Sequence, residues 1–410
     1  MSTTTTTTLI FLLTYLGVAM GRYPRLLLDR TGIVLLGAIA MVLYGGLTPG
    51  EALAAVPFPT LLLLYGLMVI SAQLRLGGFY TWLALRVTAW IDRPAAFLFI
   101  LMTTGGLLAA VLANDIICLA FTPVLAVAAR RRKLNPLPFL LGLAMGTNLG
   151  SASTMIGNPQ SMLIGELGGL SFRAFVLWCA PPSLLGLLAS YGILWLLFRN
   201  RFTDPGEHEP FAEPEWPSLN PWQTTKGLLA ATAAVTLLLL DFPRELSVLA
   251  IAALLLFSRR MHTRMVLGLV DWHLITLFCG LFVVGRAFSQ TNLPALGLAW
   301  LGERGFEFGN LYLLSFSSVL LSNLVSNVPA TVLLGPHLPV GAPEPWYVLS
   351  LATTYAGNLF TIGSMANLIV IEQARPFGIR VSFWDYARAG ILVTAANLGI
   401  LMLWIRFMAG

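Results

Sequence analysis

Polar side chains that can bind small ions occur at two places in each half of this otherwise apolar chain. Amide and hydroxyl groups can donate hydrogen bonds to an anion or offer oxygen atoms to Na⁺, and a carboxylate can hold a proton or a cation. In the first half the candidates are Asn114, Asp115, Asn148, Ser153, Thr154 and Asn158. In the second half they are Ser326, Asn327, Thr331, Asn358, Thr361, Ser364 and Asn367. The pattern predicts one ion-binding site to which both halves contribute.

Asp115 is the only acidic residue that the sequence clearly places at the midpoint of a predicted membrane segment. A carboxylate inside a bilayer is energetically costly, and it marks a functional site by default. We therefore predict that Asp115 binds a proton or a cation, whereas Val328, at the corresponding place in the second half, is neutral. The alternative is a structural carboxylate, held in a salt bridge or capping a turn.

The residues around these side chains are typical of interrupted membrane helices. In GTNLGSASTMIGNPQSMLIG (146–165), Gly150 and Gly157 would permit unwinding and Pro159 would interrupt the helical hydrogen bonds. AGNLFTIGSMANLIVI (356–371) repeats the pattern. A half-helix that starts at a break directs free N–H groups at an anion, and one that ends there presents carbonyl oxygens to Na⁺. The alternative is that these small polar residues only allow close helix packing.

The composition is that of an integral membrane protein. Of the 410 residues, 57% are hydrophobic and 10% are charged, whereas a soluble globular chain carries about 25% charged residues. The net charge of +6 comes from loop arginines and lysines, and no basic face with interleaved aromatic residues appears. We therefore predict a lipid bilayer as the surroundings and no nucleic-acid partner.

The sequence carries no motif of an enzyme, of an ATP-driven pump or of a metal site. The patterns G-x-x-x-x-G-K-S/T, H-E-x-x-H and G-x-S-x-G are all absent. The three cysteines and four histidines show no metal-ligand spacing. We predict that the protein is not an enzyme and has no cofactor, with Na⁺ considered only as a coupling ion.

The apolar runs predict an all-α integral membrane fold with about ten crossings. The predicted spans lie near 5–21, 31–48, 57–74, 137–165 (broken), 173–198, 225–241, 245–258, 271–288, 346–372 (broken) and 383–407. Two further apolar stretches, 95–129 and 309–338, are interrupted by polar residues, and we predict a re-entrant helical hairpin in each. Residues 77–92 and 293–304 precede the hairpins and are expected to lie in the membrane interface.

The two halves correspond residue by residue. Gly66 matches Gly280 at an offset of 214, Asn114 matches Asn327 at 213, Asn148 matches Asn358 at 210, and Asn158 matches Asn367 at 209. We predict a first repeat over 1–198, a cytoplasmic linker over 199–222 and a second repeat over 223–410. Because each half has five crossings, an odd number, the second half should be inverted relative to the first.

The distribution of basic residues predicts the orientation. With the segment after the first helix in the cytoplasm, 19 of the 24 arginines and lysines lie on the cytoplasmic side. Both termini are then extracytoplasmic, the mouth of the first hairpin faces the cytoplasm, and the mouth of the second faces outside. The expected location is the inner (plasma) membrane, as a multi-pass protein.

The paired motifs resemble those of the ion-transporter superfamily. ANDIICLAFTP is followed by STMIGNPQSMLIG, and SNVPATVLL by FTIGSMANLIV. The superfamily groups arsenite permeases, D-type sodium/proton antiporters, citrate symporters and divalent anion/sodium symporters, and the closest resemblance is to short bacterial anion permeases. The resemblance implies a scaffold domain, a mobile transport domain of hairpins and broken helices, elevator-type alternating access and a homodimer.

The hairpin tips do not select one branch of the superfamily. In the dicarboxylate branch, Ser-Asn-Thr tips contact substrate carboxylates and Na⁺, and only Asn114, Ser326 and Asn327 match that pattern here. An Asp at the place of Asp115 is similar to the arsenite and antiporter branches, but the break at 156–159 differs from that of arsenite permeases. The sequence therefore predicts a secondary transporter of a small inorganic or organic anion, including an arsenite-like oxyanion, coupled to H⁺ or Na⁺. The alternative is a Na⁺/H⁺ antiporter of the same fold without an anion substrate.

Overall fold

The computed structural model of the chain describes residues 2–20, 28–203, 214–258, 261–291, 293, 296, 309–339 and 341–409. Within these ranges the regular elements are helices, and an isolated β-bridge joins Leu134 and Thr203. Five of the described helices are long and apolar enough to cross a membrane: Thr3–Met20, Phe58–Leu76, Phe172–Phe198, Trp272–Ser289 and Phe383–Met408. The predicted all-α membrane class is confirmed.

The helices of the first half follow the predicted order. They are α1 (Thr3–Met20), α2 (Arg30–Tyr44), α3 (Pro49–Ala54), α4 (Phe58–Leu76), α5 (Phe79–Val87), α6 (Pro94–Ala109), α7 (Asn114–Arg131), α8 (Leu137–Ser151), α9 (Pro159–Leu167) and α10 (Phe172–Phe198). Helix α5 falls in the predicted interfacial segment 77–92. Helices α6 and α7 cover the segment 95–129, for which a hairpin is predicted, and they pack on each other, joined by the turn 110–113.

The described helices of the second half repeat that order. They are α11 (Pro221–Leu239), α12 (Arg244–Leu256), α13 (Thr263–Leu267), α14 (Trp272–Ser289), α15 (Leu311–Val325), α16 (Asn327–Leu334), α17 (Glu344–Ala356), α18 (Met365–Ala374) and α19 (Phe383–Ala409). Helices α15 and α16 are joined by Ser326 alone, which has φ +77°. The predicted interfacial segment 293–304 lies almost entirely outside the described residues.

Two pairs of helices pack between the halves, and the second pair consists of the equivalents of the first pair with the two halves interchanged. Helix α4 packs on α12, and its counterpart α14 packs on α2, the counterpart of α12. A Cβ atom added at Gly66 would lie 2.8 Å from Val248 Cγ1, and one added at Gly280 would lie 2.6 Å from Val34 Cγ1. Both pairs of equivalent positions are 214 residues apart. The glycines therefore allow two matching close approaches between the halves.

Two short buried helices form the centre of the main core. In α8 every residue from Pro138 to Ser151 is buried, and in α17 every residue from Pro345 to Ala356 is buried. Helix α6 packs on α8, and α15 packs on α17. The ends of these two central helices therefore lie deep inside the protein, where backbone groups must find protein partners.

The first break begins later than the sequence predicts. Helix α8 continues through Ser151, so Gly150 is helical and its predicted role in unwinding is wrong. A Cβ atom at Gly150 would overlap the carbonyl group of Gly106 on α6. Tertiary packing thus explains this glycine, because its missing side chain lets the two backbones touch. The irregular stretch runs over 152–158 and ends where Pro159 starts α9.

Candidate ion-binding site

The two halves meet at a pair of asparagine amides. Asn148 lies in the last turn of α8, and Asn358 follows the end of α17 by two residues. Asn148 Nδ2 donates to Asn358 Oδ1 at 2.9 Å, and both side chains are buried. Since the two residues are equivalent in the sequence repeat, this hydrogen bond joins matching points of the two halves.

Asn148 also connects the first hairpin to the second break. Its Oδ1 atom accepts hydrogen bonds from Asn114 Nδ2 at 3.1 Å and from Ser364 Oγ at 3.0 Å. Its Nδ2 atom additionally approaches Asn367 Oδ1 at 3.3 Å. Asn114 is the first residue of α7, and Ser364 precedes the first residue of α18. One amide therefore holds the starts of two helices together.

A second group of contacts connects the second hairpin to the first break. Asn158 Nδ2 lies 3.1 Å from Ser151 Oγ and 3.4 Å from Thr354 Oγ1. Gln160 Nε2 donates to Thr354 Oγ1 at 3.2 Å. The Asn327 amide is oriented so that both of its atoms form hydrogen bonds. Its Oδ1 accepts from Gln160 Nε2 at 3.1 Å, and its Nδ2 donates to the carbonyl oxygen of Gly363 at 3.1 Å.

Four helices begin in these two groups of contacts. Helices α7, α9, α16 and α18 start at Asn114, Pro159, Asn327 and Met365. The Asn158 side chain caps α9 by accepting from Ser161 N at 2.8 Å, as the sequence Asn-Pro favours at a helix start. Because a helix N-terminus carries a partial positive charge, this arrangement favours a bound anion.

Asp115 lies in the first turn of α7, and its side chain is half-buried. Within the described part of the chain its carboxylate makes neither a hydrogen bond nor an ion pair. It lies within electrostatic range of Asp271, which caps the start of α14. The salt bridge considered as the structural alternative is therefore not formed by the described residues.

Three other predicted residues form hydrogen bonds with backbone carbonyl groups. The hydroxyl of Ser153 donates to the carbonyl of Gly150 at 2.6 Å, and that of Thr331 donates to the carbonyl of Asn327 at 2.9 Å. Thr154 donates to the carbonyl of Ala110 and so ties the first break to the turn of the first hairpin.

Two predicted residues stand outside the hydrogen-bond network. Ser326 and Thr361 are half-buried, and within the ranges described above neither side chain makes a hydrogen bond. The structure thus places both beside the network without assigning their hydroxyl groups a partner in the protein.

Sequence reasoning missed Thr354 as a central residue. Its hydroxyl is approached by Asn158 and Gln160 from the first half, although Thr354 belongs to α17 in the second half. Ser350, one turn earlier on the same helix, contacts Ser161 at 2.8 Å. The available signal was a Ser/Thr row at positions 350, 353 and 354, just before the second break.

One cation reaches the first break from another helix. Arg244, the first residue of α12, places Nη1 2.8 Å from the sulfur of Met155. Its Nη2 pairs with Glu166 at 3.4 Å, and the two side chains are 21% and 32% exposed. Glu166 neutralises the guanidinium, so the polar centre of the site consists of uncharged amides and hydroxyls beside Asp115.

One buried donor in this centre is unused. Asn358 is fully buried, and its Nδ2 atom has no hydrogen-bond partner in the described structure. A buried polar group without a partner costs roughly 1–3 kcal/mol. An oxygen atom of a bound ion could accept from this amide and remove that cost.

The comparisons with known proteins place the chain in a family. The model of the citrate transporter family (CitMHS) matches residues 15–356, which is most of the chain. The chain therefore belongs to the citrate transporter family, and the predicted resemblance is confirmed. It is a membrane transporter and not an enzyme, as the sequence predicted.

Individual relatives carry different names. The silicon efflux transporter LSI3 of Oryza sativa subsp. japonica is 27% identical, over 92% of this chain and 93% of its own length. The inner membrane protein YbiR of Escherichia coli (strain K12) is 28% identical, over 90% and 94%. The crystal structure of the YdaH transporter of Alcanivorax borkumensis covers 99% of this chain and 98% of its own, with a TM-score of 0.56 and 14% identity. That likeness shows a shared fold.

Proposed function

We propose that the protein is a secondary active transporter that moves a small anion across the inner membrane, coupled to H⁺ or Na⁺. The observation that carries the proposal is the buried hydrogen bond between Asn148 and Asn358, with hairpin tips and helix breaks of both halves around it. Uncharged amides, hydroxyls and helix N-termini buried at one point suit an ion that is bound and released without a covalent step.

We propose that the second half is inverted relative to the first and that α6–α7 and α15–α16 are re-entrant hairpins. The exchanged packing of α4 on α12 and α14 on α2 supports a two-fold relation, and the odd number of crossings per half supports inversion. The repeats are 1–198 and 223–410, joined by a cytoplasmic linker over 199–222. Both termini are then extracytoplasmic.

In this proposal the hairpins and broken helices move together against the remaining helices, as an elevator. The support is that the two groups of contacts described above join α7, α8 and α9 to α16, α17 and α18. These elements share one buried polar network, so they would move as a body. We further propose a homodimer, which the family resemblance implies and which cross-linking in membranes would test.

The proposed substrate is a small oxyanion of low charge, or its protonated acid. The support is the chemistry of the site: its donors are amides, hydroxyls and helix N-termini, and Arg244 near the first break is paired with Glu166. A highly charged anion would need additional cations in such a place. The name of LSI3, a silicon efflux transporter, is compatible with a small hydroxylated acid.

Asp115 is the residue proposed to carry the coupling ion. In a screen of arsenite, phosphate, sulfate, citrate and succinate, we expect the purified protein in proteoliposomes to move an oxyanion of low charge, such as arsenite or phosphate, when a pH or Na⁺ gradient is imposed. Asp115→Asn should abolish the gradient dependence, because an amide cannot hold a proton or balance a cation. Glu372→Gln, which removes an exposed carboxylate at the end of α18, serves as the control and should leave flux unchanged. Unchanged gradient-driven flux in Asp115→Asn would refute the coupling role.

The second candidate function is a Na⁺/H⁺ antiporter of the same fold. The observation that favours it is that the carboxylate of Asp115 has no ion-pair partner among the described residues, which leaves it available to bind a cation. The same proteoliposomes distinguish the two functions. Proton movement driven by Na⁺ alone, with none of the anions required, would select the antiporter.

A further inference from the structure

A cavity opens between the end of α18 and the start of α19. It has a volume of about 610 Å³ and is lined by Ile371, Arg375, Arg380, Val381 and Ser382. The lining combines two guanidinium groups and a hydroxyl with the aliphatic side chains of two half-buried residues. It lies one helix length away from the candidate ion-binding site, so it is a separate feature of the molecule.

The two arginines of this cavity carry uncompensated charge. Arg375 and Arg380 are exposed, and in the described structure neither forms an ion pair. Of the neighbouring acids, Asp385 caps the start of α19, where its carboxylate accepts a hydrogen bond from Ser382 Oγ at 2.6 Å. Glu372 is exposed and does not line the cavity. The cavity is therefore complementary to an anion.

The turn that carries the arginines is held in place. Arg130 of α7 donates to the carbonyl of Phe377 in the middle of the turn. Gly378 has φ +68°, a conformation that favours glycine, and it lets the chain double back close to Arg130. The positions of Arg375 and Arg380 are thus set by the fold on both sides of the turn.

The cavity lies at the level of lipid headgroups. The residues that follow Ser382 are Phe383 and Trp384, and their side chains are 45% and 66% exposed. Exposed aromatic rings at the end of a long membrane helix are typical of the interface between lipid and water. The positive-inside distribution places this end of α19 on the cytoplasmic side, where the leaflet carries anionic lipids.

We propose that this cavity binds the phosphate headgroup of an anionic phospholipid from the cytoplasmic leaflet, with Arg375 and Arg380 on the phosphate and Ile371 and Val381 beside the upper acyl chain. The inference goes beyond the proposed function and does not depend on the identity of the transported ion. The two guanidinium groups can bind phosphate oxygens in a forked geometry, and the apolar wall distinguishes a lipid from a free anion.

A bound lipid would be close to the transport machinery. Phe383 stacks on Phe360 of the second break with ring centroids 5.5 Å apart. The carbonyl of Phe360 accepts from Asn367 Nδ2 at 3.2 Å. The cavity is therefore connected through two contacts to a residue of the candidate ion-binding site.

Native mass spectrometry of the full-length protein, with phosphatidylglycerol or phosphatidylcholine added in detergent, tests the proposal. We expect one tightly held phosphatidylglycerol per chain in the unchanged protein, and at least a tenfold lower occupancy of that lipid in Arg375→Gln/Arg380→Gln. Arg199→Gln/Arg201→Gln removes two exposed arginines from the same proposed side and should keep the lipid. Thermal unfolding in phosphatidylcholine verifies that both variants are folded.

Three results would overturn the proposal. One is equal phosphatidylglycerol occupancy in the unchanged protein and in Arg375→Gln/Arg380→Gln. Another is equal loss in the control variant, which would mean a diffuse surface attraction. The third is displacement of the lipid by millimolar inorganic phosphate or glycerol phosphate, which would assign the cavity to a free anion. These results measure lipid occupancy and not gradient-driven flux, so they test the lipid site independently of the proposed transport function.

Discussion

At the scale of single residues, the site depends on amides that hold each other. Asn148 contacts Asn114, Ser364 and Asn358 through both atoms of its amide. Such a shared group orients side chains from separate elements, and each partner would be left unsatisfied without it. The buried network therefore explains why asparagine, with a donor and an acceptor on one short side chain, occurs at the equivalent positions of both halves.

Replacing Asn148 by alanine should damage stability and transport together. The change leaves the amides of Asn114 and Asn358 and the hydroxyl of Ser364 without this partner, at a cost of roughly 1–3 kcal/mol for each buried group. We expect a lower midpoint of thermal unfolding in detergent and at least about tenfold slower flux, which corresponds to about 1.4 kcal/mol. Asn200→Ala, at an exposed asparagine after α10, is the matched control. Equal behaviour of the two variants would contradict the network.

The sequence could identify most members of the network but not their partners. Asn114, Asn148 and Asn158 stand out because amides are rare in apolar segments and because each has a counterpart in the second half. Thr354 has no such counterpart and looks like any hydroxyl that bonds to its own helix. Its contacts with Asn158 and Gln160 depend on the packing of α9 against α17, which no local pattern encodes.

At the scale of elements, close contact between the backbones of neighbouring helices determines where a helix continues and where it ends. The sequence places most helices correctly, because long apolar runs and residues such as Asn-Pro at 158–159 mark their middles and starts. It misplaces the first break, because Gly150 looks like a helix breaker when seen alone. In the structure Gly150 remains helical, since α6 packs directly on its backbone and compensates for the poor helix propensity of glycine.

A methyl group at position 150 should therefore disrupt the pairing of α6 with α8. Gly150→Ala puts a Cβ atom into the carbonyl group of Gly106, so one backbone must move away. Gly192→Ala on α10 is the matched control, because a Cβ there meets nothing within 4 Å and alanine is the better helix former by about 1 kcal/mol. We expect Gly150→Ala to lower the thermal midpoint and Gly192→Ala to leave it unchanged or raise it. The opposite order would show that the close approach is unimportant.

At the scale of the whole molecule, we propose that the two halves have opposite orientations in the membrane. The exchanged helix pairs support a two-fold relation, and the proposed direction of the axis rests on the five crossings predicted for each half. Sequence alone predicts this parity because apolar runs and basic loops can be counted without coordinates. It cannot predict which ends of the halves touch, since that depends on small residues such as Gly66 and Gly280 meeting distant partners.

The mouths of the two hairpins should be accessible from opposite sides of the membrane. Lys133 follows α7 and Pro339 follows α16, and both are exposed. In a variant without the native cysteines, Lys133→Cys should react with a membrane-impermeant thiol reagent only from the cytoplasmic side, and Pro339→Cys only from the outside. Labelling of both from the same side would exclude the inverted arrangement.

The most direct test of the central claim is the number of ions bound per chain when one half of the site is damaged. Equilibrium binding of the transported ion should give one site per chain. Asn114→Ala in the first half and Asn327→Ala in the second should each abolish that single binding event, because both tips reach one shared network. If the unchanged protein bound two ions and each substitution removed only one of them, the halves would hold independent sites, which would contradict a single site shared by both halves.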